Sequence, residues 1–270
     1  MDIQVYQSRI ETLSRDITFR VMTPDGYEEG NRRYPVLYMQ DGQDIFRDEE
    51  ATDGKSARFE EYCRKFGQYL PKVIVVGIDC PSTNTERSRL YAPYTKDFEV
   101  PDGINFERHI EGQGDQYLQW LTGYLKPWID TNYRTRREGE YTGIGGFSIG
   151  ALLSLYAGFA YTRYFSRVIS LSGAMNVWMD KLAKTMDSSN LDCLKYVYLD
   201  TGLHDHGRFS EEKDFIEGAE TVYRKLLEYG FDEEHICMRL IEESNGHTHE
   251  ALRPRLPDAI RWIYRDLGDK

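Results

Sequence analysis

Residues 141–161 read YTGIGGFSIGALLSLYAGFAY. A short lead-in, Tyr141 to Gly145, runs into Gly146-Phe147-Ser148-Ile149-Gly150, and an apolar helix-forming run, Ala151 to Tyr161, leads out. The pentapeptide G-x-S-x-G arises easily by chance, whereas its setting of strand, sharp turn and helix is specific. Such a turn forces the serine backbone into an unfavourable conformation, and flanking glycines let neighbouring chain approach without a Cβ clash. A helix beginning behind Ser148 favours negative charge developing at its N-terminus. One competing reading is an inert serine in a Gly-rich strand-to-helix turn. A dinucleotide fingerprint is another, but G-x-G-x-x-G begun at Gly143 puts Ser148 where the third glycine belongs.

On either side of this turn, strand and helix patterns alternate. Ile3 to Ile10 and Ile17 to Met22, joined by Leu13 to Asp16, predict an antiparallel opening ribbon. Tyr34 to Met39 and Lys72 to Ile78 are apolar runs that predict buried strands, with a helix over Ala57 to Leu70 between them. Cys80 to Gly114, with Pro81, Pro93 and Pro101, predicts a long irregular segment of the kind that lines binding sites. A helix follows over Gln116 to Asn132. After the elbow come strands at Arg167 to Leu171, Lys195 to Asp200 and His235 to Ile241, with helices over Glu211 to Tyr229 and Glu250 to Asp266. This order predicts an α/β fold: a mainly parallel central sheet, an antiparallel N-terminal ribbon and helices on both faces. Its ligands bind beyond the carboxyl ends of the strands.

No repeat or Pro/Gly/Ser-rich linker divides the 270 residues, so one domain over 1–270 is expected. Hydrophobic residues make up 40% and charged residues 29%, a globular composition that excludes a disordered chain. Apolar runs are too short for a membrane span, and the polar start MDIQVYQSRIETLSRD does not read as a secretion signal. The net charge of −11 repels phosphate backbones and anionic membranes, which argues against nucleic-acid and membrane partners. Cys63, Cys80, Cys193 and Cys237 form no C-x-x-C pair and read as reduced, mostly buried thiols, consistent with the cytoplasm. A homo-oligomer is compatible with all of this.

A nucleophilic serine needs a base, and the base needs an orienting acid. On an elbow scaffold the acid and then the histidine follow the serine along the chain. Five histidines do so: His204, His206, His235, His247 and His249. His235 opens a strand and reads as structural. His247 lies in Ser244-Asn245-Gly246-His247, past a strand and before the last helix, and is favoured over His249 because Gly246 frees the loop to turn. For the acid, Asp205 lies in the loop after the preceding strand, whereas Asp200 ends that strand; Asp205 ranks first. His204, Asp205, His206, His247 and His249 are also metal-ligand types, but no H-E-x-x-H is present and the spacing is not diagnostic, so no metal is assigned. An oxyanion hole would use the backbone N–H of Ile149 and a second amide from Gln40-Asp41-Gly42-Gln43-Asp44-Ile45-Phe46, where Gly42 lets the chain turn and Gln43 is the natural donor. A plain strand-ending turn is the alternative for that segment.

From roughly Tyr34 to Tyr264 the chain resembles the putative esterase family of α/β-hydrolases. That group includes enterochelin-type siderophore esterases, feruloyl and acetyl-xylan esterases, S-formylglutathione hydrolases and mycolyltransferases. The resemblance rests on YPVLYMQDGQDIF, VVGID, LYAPY, YLQWLTGYLKPWIDTNYRT, GGFSIGALLSLYAGF, SLSGAM, YLDTGLHD and GHTHEALRPRLPDAIRWIY, in that order. It implies an α/β-hydrolase fold with Ser148 as nucleophile, Asp205 as acid, His247 as base, and Gln43 and Ile149 as oxyanion amides. Three positions depart from the family pattern: Phe147 replaces a small or polar residue, Ala151 stands where a second glycine is common, and Gln40 stands where many members have histidine.

The expected activity is that of a serine ester hydrolase working through an acyl-enzyme, with no metal or organic cofactor. Its expected partner is a small-molecule ester, acyl or aromatic. An acyltransferase would use the same triad, and a binding protein on a hydrolase fold is the reading from another class. Phe46, Tyr91 and Phe147, together with Tyr94, Phe106 and Phe209, are candidates to line an aromatic-accepting pocket; packing onto the core is the alternative for each.

Overall fold

Val36–Gln40, Ile74–Ile78 and Arg167–Leu171 are buried at every position, as befits strands covered on both faces. Within them alternate residues serve different sides. Val36, Tyr38, Ile74, Val76 and Val168 join one apolar core, and Leu37, Met39, Val75 and Ile169 join the other. This period of two is the pleat of a strand between two helical layers.

The computed structural model describes residues 2–99, 107–207, 210–242 and 246–268. Its strands are β1 (Ile3–Ile10), β2 (Arg15–Met22), β3 (Val36–Gln40), β4 (Ile74–Ile78), β5 (Lys96–Asp97), β6 (His109–Ile110), β7 (Thr142–Phe147), β8 (Arg167–Leu171), β9 (Tyr196–Gly202) and β10 (Ile236–Ile241). The helices are α1 (Phe59–Phe66), α2 (Asn84–Tyr91), α3 (Gly114–Trp120), α4 (Lys126–Asn132), α5 (Ile149–Ala160), α6 (Met179–Ser188), α7 (Glu212–Glu228) and α8 (Leu252–Ile263). The main sheet runs β1-β2-β4-β3-β7-β8-β9-β10. β1 and β2 form the antiparallel ribbon, β2 meets β4 antiparallel, and every pairing from β4 to β10 is parallel. Residues of α1 and α8 pack in the core on one face, and residues of α2 to α7 in the core on the other. This is the α/β-hydrolase fold.

The segment expected to be irregular, Cys80 to Gly114, instead contains α2 and the small ribbon β5–β6. Helix α2, NTERSRLY, buries only Leu90 and Tyr91 and shows no amphipathic repeat, so its sequence does not announce a helix. Its start is capped by Thr83, whose hydroxyl accepts from the Glu86 N–H. Helix α6 was also not expected; it is anchored by Leu182 and Met186, one turn apart. The helix expected over Gln116 to Asn132 is continuous from α3 to α4 through a π turn at Leu121–Leu125. All four cysteines are free thiols, but only Cys63 is fully buried and Cys193 is exposed, fewer buried than composition implied. Among the described residues no helix is long and apolar enough to cross a membrane.

Candidate active site

Ser148 joins β7 to α5 with φ 59° and ψ −120°, a conformation that side chains rarely adopt. The turn is so tight that a Cβ on Gly146 would lie 2.5 Å from the carbonyl carbon of Gly150. A Cβ on Gly150 would lie 3.0 Å from Cβ of Gln40. Backbone packing thus demands glycine at 146, and the Gln40 side chain presses on position 150. The elbow is held to the sheet by the Ser148 N–H on the Leu171 carbonyl (3.0 Å), while its own carbonyl accepts from the Ala174 N–H (3.1 Å).

His247 reaches this serine from the segment between β10 and α8. Gly246, at φ +88°, turns the chain just ahead of it, and His247 Nε2 lies 2.8 Å from Ser148 Oγ. Its Nδ1 faces Asp205 Oδ1 at 3.8 Å, an ion-pair distance rather than a closed hydrogen bond. Neither atom has another hydrogen-bond partner among the described residues, and such pairs commonly tighten only when substrate binds. Asp205 is fully buried, and its Oδ2 accepts from Ser172 Oγ and from the Gly202 N–H (2.6 Å). Burial opposes the charge on Asp205, but His247 and Ser172 outweigh it and hold the carboxyl down to about 2. Burial pushes His247 below its ordinary value, with Asp205 pulling the other way. The imidazole is therefore mainly neutral at pH 7, next to a carboxylate that is ionised at that pH.

The competing residues are placed elsewhere. Asp200 is buried against the Arg255 guanidinium, whose Nε donates to Asp200 Oδ2 at 3.1 Å. Arg255 also donates to Ser172 Oγ at 2.6 Å, so it supports the hydroxyl that holds Asp205. Sequence reasoning missed Ser172 and Arg255; the SLSGAM and RPRLP segments that carry them signal nothing about this contact. His249 Nε2 lies 3.7 Å from Asp41 Oδ2 and its Nδ1 3.9 Å from Asp44 Oδ2. His204 and His206 both lean on Glu212, at 3.3 and 3.2 Å, on the exposed side of the loop. The metal-ligand types that come together among the described residues are Asp41, Asp44 and His249, not the loop histidines. There the Asp41 carboxylate is already engaged by Arg87 through two hydrogen bonds.

Past β3, Asp41 takes a left-handed backbone, φ 58°, and Gly42–Asp44 form a short 3-10 turn. A Cβ on Gly42 would lie 2.4 Å from the Gly77 carbonyl carbon, so the turn presses on the backbone of β4. The Gln43 side chain is bonded to Thr52, Asp44 and Cys80. No acceptor among the described residues takes the backbone N–H of Gln43 or of Ile149.

Ser148, Ile149, Phe147 and His247 line a cavity of about 590 Å³ beyond the carboxyl ends of the strands, and Asp44, the residue after Gln43, lines it as well. Its apolar wall carries Phe98, Ile110, Val177, Trp178 and Phe215. Phe147 lines the cavity and packs on the base, its ring centroid 4.3 Å from that of His247. The expectation for Phe46 and Tyr91 is corrected. Both are fully buried: Phe46 covers Gly77, and the Tyr91 hydroxyl accepts from the Asp41 N–H at 3.0 Å. Tyr94 packs behind the wall, tilted against Trp178 and edge-to-face with Tyr156. Phe106 and Phe209 lie outside the described residues. Gln40, in place of the family's histidine, accepts from the Tyr117 hydroxyl at 2.6 Å, and Ala151 is fully buried.

The chain is 26% identical to a Bacillus subtilis (strain 168) protein, "Uncharacterized protein YbbA", over 91% of this chain and 92% of that one. Among solved structures it resembles an IroE-like serine hydrolase from Shewanella oneidensis (TM-score 0.77, 20% identity, 100% of this chain and 82% of that chain). It also resembles the enterobactin esterase Fes from Shigella flexneri (TM-score 0.74, 17% identity, 99% of this chain and 60% of that chain). At such identities these likenesses speak to the fold. The sequence model of the family described as "Putative esterase" matches residues 10–263. The chain therefore belongs to the putative esterase family and is a carboxylic-ester hydrolase on an α/β-hydrolase fold.

Proposed function

We propose that this protein is a serine esterase that cleaves small acyl or aromatic carboxylic esters through an acyl-enzyme on Ser148. The observation that carries the reading is the 2.8 Å contact from His247 Nε2 to Ser148 Oγ, with Asp205 behind the same imidazole. Ser148 Oγ attacks the ester carbonyl carbon while neutral His247 takes the hydroxyl proton. The carbonyl oxygen becomes an oxyanion that accepts from the backbone N–H groups of Gln43 and Ile149. As the tetrahedral intermediate collapses, the imidazolium gives its proton to the departing alcohol oxygen and the acyl group stays on Ser148. Water then attacks the acyl carbon, His247 takes its proton, and the acid leaves as Ser148 regains a proton from His247. Asp205, ionised throughout, favours the Nδ1–H tautomer and the transient imidazolium.

The aromatic and apolar wall of Phe98, Ile110, Trp178 and Phe215 supports an apolar or aromatic group beside the scissile bond. The proposed unit is a single catalytic domain over residues 1–270. The free thiols support a reducing, cytoplasmic setting. The test is labelling with a fluorophosphonate together with turnover on a panel of acyl chain lengths and aromatic esters. Wild type should be labelled at Ser148 and turn over esters, and Ser148→Ala should do neither at an unchanged melting temperature. Ser148→Ala turning over more than a few per cent as fast as wild type overturns the reading. Product analysis with added alcohols separates hydrolysis from acyl transfer.

A further inference from the structure

We infer that Arg87 is a positioning residue for the oxyanion hole, tying the Gln43 turn to the Ser148 elbow. This rests on the reading of Gln43 and Ile149 as the two oxyanion donors. Arg87 Nε and Nη2 donate to Asp41 Oδ1 and Oδ2, each at 2.7 Å. Nη2 also donates to the carbonyl of Phe147 at 3.1 Å. Asp41 stands two residues ahead of Gln43, and Phe147 two residues ahead of Ile149. One planar guanidinium therefore bridges the two chain segments that supply the two donors.

The strength of the bridge follows from its surroundings. Asp41 is fully buried and Arg87 nearly so, at 1% and 16% side-chain exposure. Burial opposes the Asp41 charge, and Arg87 overcomes it, holding the carboxyl well below the usual range. Burial likewise opposes the Arg87 charge, and Asp41 overcomes it to raise the guanidinium further. A charge pair desolvated in this way is strong only while its bidentate geometry is kept. Asp41 is also held at its N–H by Tyr91, one turn after Arg87 on α2, and the Arg87 guanidinium lies 5.5 Å from the Tyr91 ring centroid. Helix α2 thus delivers two adjacent side chains to one left-handed residue whose backbone is costly without them.

The oxyanion is absent from the bound ester and forms only on the way to the tetrahedral intermediate, so misplacing a donor lowers kcat and leaves KM alone. A shift of about 1 Å in a positioned group typically costs about 100-fold. Arg87 also borders the cavity. Direct contact with an anionic substrate is therefore the competing role, and it would appear in KM.

The experiment compares wild type with Arg87→Met, Arg87→Lys, Arg87→Ala and Asp41→Asn on a neutral p-nitrophenyl ester and on one whose acyl group carries a carboxylate. It reads kcat, KM, melting temperature and the affinity of a boronic acid, which forms a tetrahedral adduct on the serine. For Arg87→Met the expected loss in kcat is about 10- to 100-fold with KM within about twofold, and boronate affinity falls by a similar factor. Arg87→Lys should not restore kcat, because an ammonium cannot span both oxygens and the carbonyl. Added guanidinium should restore part of the activity of Arg87→Ala. The Arg87→Met/Asp41→Asn double variant should be no slower than the worse single variant.

Unchanged kcat and boronate affinity in Arg87→Met, even with a lower melting temperature, would overturn the inference. So would a raised KM confined to anionic esters at unchanged kcat. If Arg87→Met does not fold, Asp41→Asn, which keeps the side-chain size, carries the same readouts. A wild type that is not labelled at Ser148 defeats the underlying reading instead, and is seen before any Arg87 variant is made.

Discussion

The two sides of the site are held by different physics. On the nucleophile side, Ser148 is confined by backbone packing, with Gly146 and Gly150 in contact and the Ser148 N–H fixed to β8. On the oxyanion side, Asp41 carries the positive φ, and it is held by a buried charge pair and a tyrosine hydroxyl from α2. Steric constraint is local and is written as glycines at fixed spacing. Electrostatic constraint is long-range, joining residues 46 positions apart. Both sides meet one requirement, a rigid left-handed residue at the carboxyl end of a parallel strand.

The base and acid give the sharpest means of breaking this picture. His247→Ala should cost about 10⁴-fold or more in kcat, matching Ser148→Ala because triad members act as a unit. His249→Ala, which touches Asp41 and Asp44 but not Ser148, should stay within about tenfold of wild type. Reversal of those two results in steady-state assays would move the base to His249. Next in size are the two aspartates of β9 and its loop. Asp205→Asn should lower kcat by about 10³- to 10⁴-fold through the wrong imidazole tautomer while the fold stays intact. Asp200→Ala leaves Arg255 buried without its partner, and should instead cost about 3–5 kcal/mol of stability in denaturant unfolding. Equal kinetic losses from both changes would remove the distinction between them.

A smaller effect probes the oxyanion side alone. Gly42→Ala places a methyl 2.4 Å from the Gly77 backbone, so the turn has to move. About 1–3 kcal/mol of destabilisation is expected, with kcat reduced more than fluorophosphonate labelling of Ser148. Equal losses in both readouts would mean that the two sides are not separable. The smallest effect is in the pH profile. His247 accepts a proton only when neutral, and burial lowers its pKa below the ordinary histidine value of 6.5. The acid limb of kcat/KM should therefore have its midpoint below that pH, with activity lost as the medium becomes acidic enough to protonate His247. Asp205, held at about 2, adds no limb in that range. An acid limb with its midpoint above 6.5 would show that Asp205 outweighs burial at the base.

The features readable along the chain follow from short-range rules. The strand–elbow–helix around Ser148, the antiparallel ribbon and the parallel order of the sheet all have signatures within a few residues: glycine spacing, two-residue alternation and apolar runs. His247 and Asp205 were legible as loop residues after consecutive strands, because chain order and strand direction constrain where they emerge. What those residues touch depends on how distant segments pack. Helix α2 was hidden because the face it buries presents Arg87 to Asp41 instead of an apolar stripe. Ser172 and Arg255 were hidden because their partners, Asp205 and Asp200, lie 33 and 55 positions away. Phe46 and Tyr91 looked like cavity aromatics, but a loop aromatic's side is set by the backbone beneath it. For Phe46 that backbone is Gly77, and for Tyr91 it is the Asp41 amide. Hydrophobic period and turn chemistry act locally and can be read from the chain. The pairing of buried charges depends on which distant segments the sheet brings together, and no local pattern encodes that.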